Sequence, residues 1–262
     1  MMRAVHLSYA TANLSQATKL LLKSAGRFGL DSRIYTPEHP VLADLRQKHP
    51  SIMAEPRGAG YWLWKPSIIL DVLNSVPDGT AVLYTDVAIT FVADPAPLML
   101  LTKEHPVCLF KMSGPMLQGT WTKRDCFVEM SADTDEFWSM PQLWAGMQLY
   151  RAGPEARRFV SLLAEAMASE TRLTDKPNVH GLPNLPDFVE HRHDQSVLTI
   201  LARQQGAAIF RDPSQCWDSP SAPASETPFD QTVFLHRTRN QPLHKWLSKR
   251  LRRKYTGGRG FL

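Results

Sequence analysis

Residues 58–86, GAGYWLWKPSIILDVLNSVPDGTAVLYTD, carry the reading that decides the fold. They predict a glycine-hinged aromatic loop, a proline-started helix, a turn and a buried strand that delivers one carboxylate. Pro66 suits the first position of a helix, where a missing N–H forfeits no intrahelical bond. Ile68, Ile69, Val72 and Leu73 then share one helical face. Pro77 stops the helix and Asp78-Gly79 supplies the turn. The apolar run Ala81-Val82-Leu83-Tyr84 has the make-up of a strand covered on both faces. Asp86 stands where that strand emerges, and open α/β sheets bind ligands at the carboxyl ends of their strands.

Upstream, residues 3–8 read as an opening strand followed by Tyr9-Ala10-Thr11. Asn13 or Ser15 then caps a helix with Leu14, Thr18, Leu21, Leu22 and Ala25 on its apolar stripe. Gly26 and Gly29 close it, residues 31–35 form a second strand, and residues 40–49 a short helix. Strand, helix, strand is an α/β opening. A dinucleotide fingerprint fails, because Gly58-Ala59-Gly60 is followed by Leu63 where a third glycine belongs.

Downstream, residues 87–91 continue extended and residues 107–110 make a buried strand ending at Lys111. Residues 112–122 are a loop, and Thr122-Lys123-Arg124-Asp125 opens a helix. A strand around Ala145-Gly146 covers residues 144–150, and residues 154–168 form an amphipathic helix (Phe159, Leu162, Leu163, Ala166). Residues 171–187, rich in Pro, Asn and Gly, are long enough for a lid or acceptor loop. Asp194 is placed to cap a helix that runs to Gln205. Strands at 207–210 and 232–235 follow, separated by an irregular Ser/Pro segment at 212–228.

The 262 residues, 43% hydrophobic with seven Trp and eleven Phe, suffice for one sizeable domain. Three scattered cysteines without a CxxC suit reduced thiols and exclude a disulfide framework. No h-region follows Met1-Met2-Arg3 and no apolar run is long enough to span a bilayer, so the expected location is cytoplasmic. The net charge of +5 is unevenly placed. Nine Lys/Arg and no acid lie after Asp230, which leaves 21 basic against 25 acidic residues in positions 1–230. Nucleic-acid binding by the domain loses its electrostatic support on that distribution.

In order along the chain, GAGYWLWKPSIIL, LYTDVAI, TKRD, QLWAGMQLYR, HRHDQSVL and FLHRTRN resemble a family of small bacterial GT-A-type glycosyltransferases associated with capsule, lipopolysaccharide or other surface glycans. The resemblance runs from about residue 3 to 240. It implies an α/β GT-A-like domain at 1–240, with a mixed, mainly parallel sheet flanked by helices, and a separate basic tail at 241–262. It also implies a nucleotide-diphospho-sugar donor, a glycan or lipid-linked acceptor, and a divalent metal, Mn²⁺ or Mg²⁺.

The resemblance assigns roles residue by residue. Asp86 and the late strand-end His236 correspond to metal and diphosphate ligands, although Thr85-Asp86-Val87-Ala88 carries one acid where the family's DxD motif has two. Tyr9 and Ala10 fall at the donor, with Lys65, Lys123, Arg124 and Arg237 as candidate phosphate cations, Arg being suited to a two-pronged grip. Trp64, His193 and Gln195 fall at the acceptor, and Asp194 is the candidate general base or acceptor anchor. Each has a plainer reading as cap, core aromatic or surface charge.

Two other functions fit parts of the sequence. His191 and His193, alternating along an extended segment, would face one ion in a metal-dependent hydrolase. A non-catalytic nucleotide-sugar or membrane-surface binding protein is the other. The tail supports the membrane element, since Leu243, Trp246, Leu247 and Leu251 form one stripe amid six basic residues. Such a helix suits an anionic membrane surface and equally a packed position on the domain.

Overall fold

The computed structural model of the chain describes residues 3–112, 114, 116–215 and 229–236. Six strands make one sheet in the order β2-β1-β3-β6-β5-β7. They are β1 (Ala4–Tyr9), β2 (Ser32–Tyr35), β3 (Ala81–Thr85), β5 (Val107–Lys111), β6 (Leu143–Arg151) and β7 (Ala208–Phe210). β1 runs parallel to β2 and β3, and β5 parallel to β7, while β6 is antiparallel to both its neighbours. A separate antiparallel pair joins β4 (Ile89–Phe91) to β8 (Val233–Leu235).

Alternation along the strands divides the core. Val82 and Tyr84 of β3, with Val107 and Leu109 of β5, face one cluster, and Ala81, Leu83, Cys108 and Phe110 face the other. The first cluster is covered by α2 (Trp64–Ser75), α3 (Arg124–Glu129), α4 (Pro154–Met167) and α5 (Asp194–Gln204). The second is covered by α1 (Ser15–Gly26) and the β4–β8 pair. The apolar face expected on α2 is the one it buries: Ile68, Ile69, Val72 and Leu73 are all fully covered. Each such side chain stabilises the fold by roughly 1.5–3 kcal/mol relative to exposure.

β6 breaks the alternation. Leu143 and Ala145 face the first cluster and Met147 and Leu149 the second, after which Tyr150 and Ala152 return to the first. The register against β5 slips at the same place, with Leu109 opposite Gln148 but Lys111 opposite Leu143. A bulge around Gly146 accounts for both observations, since extra residues on one strand flip the facing of those that follow.

Four expectations need correction. The cap position of α1 is held by Leu14 without a side-chain hydrogen bond, not by Asn13 or Ser15. Pro66 is the third residue of α2, not the first. Every N–H of a helix's first turn lacks an intrahelical partner, so proline fits there as well. The segment after Asp86 does not run straight on. Residues 87 and 88 turn before β4 begins, and β4 leaves the main sheet for β8. Finally, His193 and not Asp194 occupies the cap position of α5, and the Asp194 carboxylate is drawn elsewhere.

Candidate active site

Asp86 lies just past the last residue of β3, its N–H donating to the Gly146 carbonyl across the strand ends (2.8 Å). The buried Tyr84 hydroxyl donates to Asp86 Oδ1 (2.6 Å). Burial first, and then the Asp86 charge, push the Tyr84 phenol well above its ordinary pKa, so it remains a donor. Lys65, from the first turn of α2, enters the same place. Its Nζ lies 3.7 Å from Asp86 Oδ1, donates to the Ala145 carbonyl at 3.0 Å and pairs directly with the Asp194 carboxylate. Nζ also stands 5.1 Å from the centre of the Tyr84 ring, within cation–π range. The β6 bulge is what frees the Ala145 carbonyl, which the Gln148 amide also reaches (3.0 Å).

The two carboxylates differ in access. The Asp86 side chain is 42% exposed, Asp194 9% and Lys65 2%. Burial raises the Asp194 pKa, against the opposing pull of the Lys65 charge. A side chain at Gly146 would crowd Trp144 and Asp86, because a Cβ there would lie 2.4 Å from Trp144 Nε1 and 2.9 Å from Asp86 Oδ2.

Of the residues assigned from the sequence, Asp86, Lys65 and Asp194 converge. Lys65 differs from its expected role, since its buried ammonium faces two carboxylates and a carbonyl, not an open phosphate site. Tyr9 and Trp64 stack on each other with ring centres 3.8 Å apart, and both are buried. Ala10 follows β1, its N–H bonded to the Tyr35 carbonyl (2.9 Å). The Gln195 amide donates to Gln142 Oε1 (2.5 Å), which ties the start of α5 to the residue preceding β6.

Lys123 and Arg124 have other partners. Lys123 is buried, its ammonium donating to the Lys176 carbonyl (2.8 Å), and burial lowers its pKa. Arg124 pairs with Asp133 (2.7 Å) and lies 4.7 Å from the centre of the Trp138 ring. Arg237 and the basic tail lie outside the described residues.

The His191/His193 pair is not a metal site. Neither residue lies in a strand, and their rings meet at 73°. His191 Nε2 bonds the Arg172 carbonyl (2.8 Å) and His193 Nδ1 the Leu173 carbonyl (2.9 Å), which ties down the end of the short helix Glu170–Leu173. His193 is 1% exposed, so its ring has no surface to offer an acceptor. Burial depresses both imidazoles.

The two residues assigned from the sequence to a divalent cation are Asp86 and His236. The His236 N–H donates to the Ala88 carbonyl (2.9 Å), which brings the end of β8 to the turn after Asp86. Burial lowers the His236 pKa, favouring the neutral imidazole that can ligate. Among the described residues no three His, Cys, Asp or Glu side chains group as a metal cage. A cation held by Asp86 and His236 would have to draw its remaining ligands from phosphate oxygens and water.

Sequence reasoning missed Tyr84, Trp144 and the Ala145 carbonyl. The signal for the last two was a glycine inside an apolar strand, which marks a bulge or a close approach.

No protein-family model matches the chain, and no curated protein does. Among solved structures, the chain is similar to mouse xyloside xylosyltransferase 1 in its apo form. That match has 11% identity and TM-score 0.51, covering 92% of this chain and 100% of the other. Galactosyltransferase LgtC, solved with donor and acceptor sugar analogs, matches with 11% identity and TM-score 0.46, covering 98% and 96%. Glycosyltransferase GlyE of Streptococcus pneumoniae TIGR4 matches with 16% identity and TM-score 0.41, covering 81% and 46%. The xylosyltransferase match shows the fold: the mixed α/β, GT-A-like domain expected from the sequence is the one found.

Proposed function

We propose that the chain is a glycosyltransferase moving a sugar from a nucleotide-diphosphate donor to a glycan or lipid-linked acceptor. The observation that carries this is the convergence of Asp86 and Asp194 on the Lys65 ammonium at the carboxyl end of β3, in a fold shared with a xylosyltransferase. In such a transfer the bond from the anomeric carbon to the diphosphate breaks and a bond to the acceptor oxygen forms. Negative charge builds on the diphosphate and the acceptor hydroxyl loses its proton.

The exposed Asp86 carboxylate serves the diphosphate side together with His236. These two would hold a divalent cation, which when bound supplies positive charge at the leaving group. Asp194 serves the acceptor side as proton acceptor or hydroxyl anchor. Lys65 fixes both carboxylates, and Tyr84 fixes the orientation of Asp86.

The hydrolase reading loses its pair, since both ring nitrogens of His191 are engaged, Nε2 with the Arg172 carbonyl and Nδ1 with the Lys123 N–H. A non-catalytic binding protein is separated by turnover. Thermal shift with a panel of nucleotide diphosphates, with and without Mn²⁺, is expected to show stabilisation by ligand linkage. A screen of nucleotide sugars is expected to show slow donor hydrolysis for at least one. Absence of both responses across the panels would sink the reading.

The surface-glycan setting follows from the sequence resemblance and is part of the proposal, as is a cytoplasmic site of action at the membrane face. No described helix is long and apolar enough to cross a membrane. The tail, with its apolar stripe amid basic residues, is proposed to bind anionic lipid. Full-length protein should co-sediment with vesicles containing phosphatidylserine and a chain ending at Asn240 should not; equal behaviour of the two removes the tail from the proposal.

A further inference from the structure

Six non-glycine residues among those described have positive φ, and four of them lie in two segments that touch. Ala59 (52°), Tyr61 (49°) and Trp62 (60°) belong to the turn at 58–62, where Gly58 (60°) and Gly60 (95°) complete five successive left-handed residues. His193 (φ 51°, ψ −117°) is the fourth. Such an L-residue is strained and persists only where its surroundings over-determine it.

The surroundings are on hand. The turn closes through Gly60 N–H to the Glu55 carbonyl, Tyr61 N–H to the Arg57 carbonyl (both 2.8 Å) and Trp62 N–H to the Gly58 carbonyl (3.2 Å). Trp64 Nε1 also donates to the Gly58 carbonyl (2.9 Å). The Trp62 ring folds back over Gly58, where a Cβ would lie 2.4 Å from it. The His193 ring sits 4.7 Å from Tyr61 and 5.6 Å from Trp62, while its Nδ1 holds the Leu173 carbonyl. Arg57, just before the turn, pairs with Asp175 and Glu190 (3.3 Å each), flanking the same contact.

The strain is adjacent to the chemistry on both sides. The turn ends three residues before Lys65, and His193 immediately precedes Asp194. Both partners of the buried ion pair therefore leave a strained backbone, and the two strained segments are stacked ring on ring. We propose that His193, clamped between the left-handed turn at 58–62 and the Leu173 carbonyl, is a positioning residue that aims Asp194 at Lys65. The turn positions Lys65 in the same way, and the two segments act as one unit. The activity part of this inference rests on the transferase reading; the geometric part does not.

The test compares His193→Gly, His193→Asn, Gly58→Ala and the double variant Gly58→Ala/His193→Gly. Glycine adopts φ near +50° without strain, so relief of strain offsets part of the lost ring packing. His193→Gly is expected to keep a Tm near that of the parent while kcat falls about 10- to 100-fold, the scale of a displaced catalytic group. KM should stay within about twofold. Asparagine tolerates positive φ and can donate to the Leu173 carbonyl, so His193→Asn should recover part of the loss.

Residues acting as one unit are non-additive, so the double variant should be no worse than the worse single. Independently of turnover, the Lys65 ammonium should give a protected ¹H–¹⁵N resonance in the parent that broadens away in His193→Gly. Retention of both that resonance and kcat in His193→Gly would overturn the inference, as would a double variant showing the full product of the single losses. If His193→Gly fails to fold, the resonance in His193→Asn and Gly58→Ala decides. If the parent turns over no donor, the transferase reading fails and the resonance alone decides the positioning role.

Discussion

Asp86 and Asp194 meet at one ammonium, but the chain brings them there by opposite means. Asp86 is delivered by a strand: β3 is buried throughout, paired on both sides, and ends one residue before the carboxylate. Asp194 is delivered by loops. It follows a strained His193 and a long irregular segment anchored through Asp125, whose carboxylate accepts from the N–H groups of Val179 (2.6 Å) and His180 (3.4 Å). The first placement uses hydrogen bonds the sheet makes in any case. The second needs a set of specific long-range contacts, and each can be broken singly.

Lys65 joins the two regions, so removing it should have the largest effect. Lys65→Met leaves Asp194 buried without its counter-ion, and loss of one partner of a buried pair costs about 3–5 kcal/mol. Urea unfolding should show this as a lowered midpoint with an unchanged slope. An unaltered midpoint would mean that Asp194 finds another partner.

Asp86→Asn tests the strand-borne side alone. The exposed carboxylate supports little of the fold, so Tm should hold while donor turnover falls about 10²–10³-fold, as for loss of one electrostatic contact to the reacting group. An active variant would refute the role of Asp86. Gly146→Ala comes next, with an expected cost of about 1–3 kcal/mol from overpacking against Trp144 and Asp86. It should also lower kcat, because Asp86 Oδ2 must move; if Tm falls while kcat stays at the parent value, the bulge serves packing only.

The smallest effect separates the regions by pH. His6 of β1 is fully buried between Ser32 Oγ (2.8 Å) and Thr85 Oγ1 (2.9 Å), and burial lowers its pKa to about 3. The unfolded chain therefore binds a proton between about pH 6.5 and 3 that the folded chain refuses. The stability this imidazole contributes is full above pH 6.5 and is lost as pH falls toward 3. His6→Gln should cost little at pH 7, and its Tm deficit against the parent should shrink or reverse on going to pH 4. A deficit that stays constant with pH would mean His6 does not titrate in the fold.

The strand-built half was legible because its signals are local. Alternating burial on β3, the apolar face of α2, and a lone acid after an apolar run all follow from residues within a few positions of one another. The loop-built half was read less well. Asp194 was expected as a helix cap because Asp before an apolar run commonly caps. It leaves that duty because a buried ammonium, supplied by a residue far upstream, binds a carboxylate more strongly than a backbone N–H does. The HxH pair suggested metal for the same reason: periodicity shows which way side chains alternate but not which carbonyls await them.

The sequence by itself determined an α/β domain with a strand-end carboxylate at Asp86, a buried face on α2, and a resemblance to glycosyltransferases carried by motifs spread along the chain. Only the tertiary structure decided that Lys65 turns inward to hold Asp86 and Asp194, that β6 bulges at Gly146 to free the Ala145 carbonyl, and that the aromatic stretch after Gly58 is a left-handed turn stacked on His193. The physical reason is range. Helical faces and strand alternation are set by backbone periodicity within a segment, whereas a buried charge takes its partner, and a strained turn its tolerance, from residues that only the folded chain brings into contact.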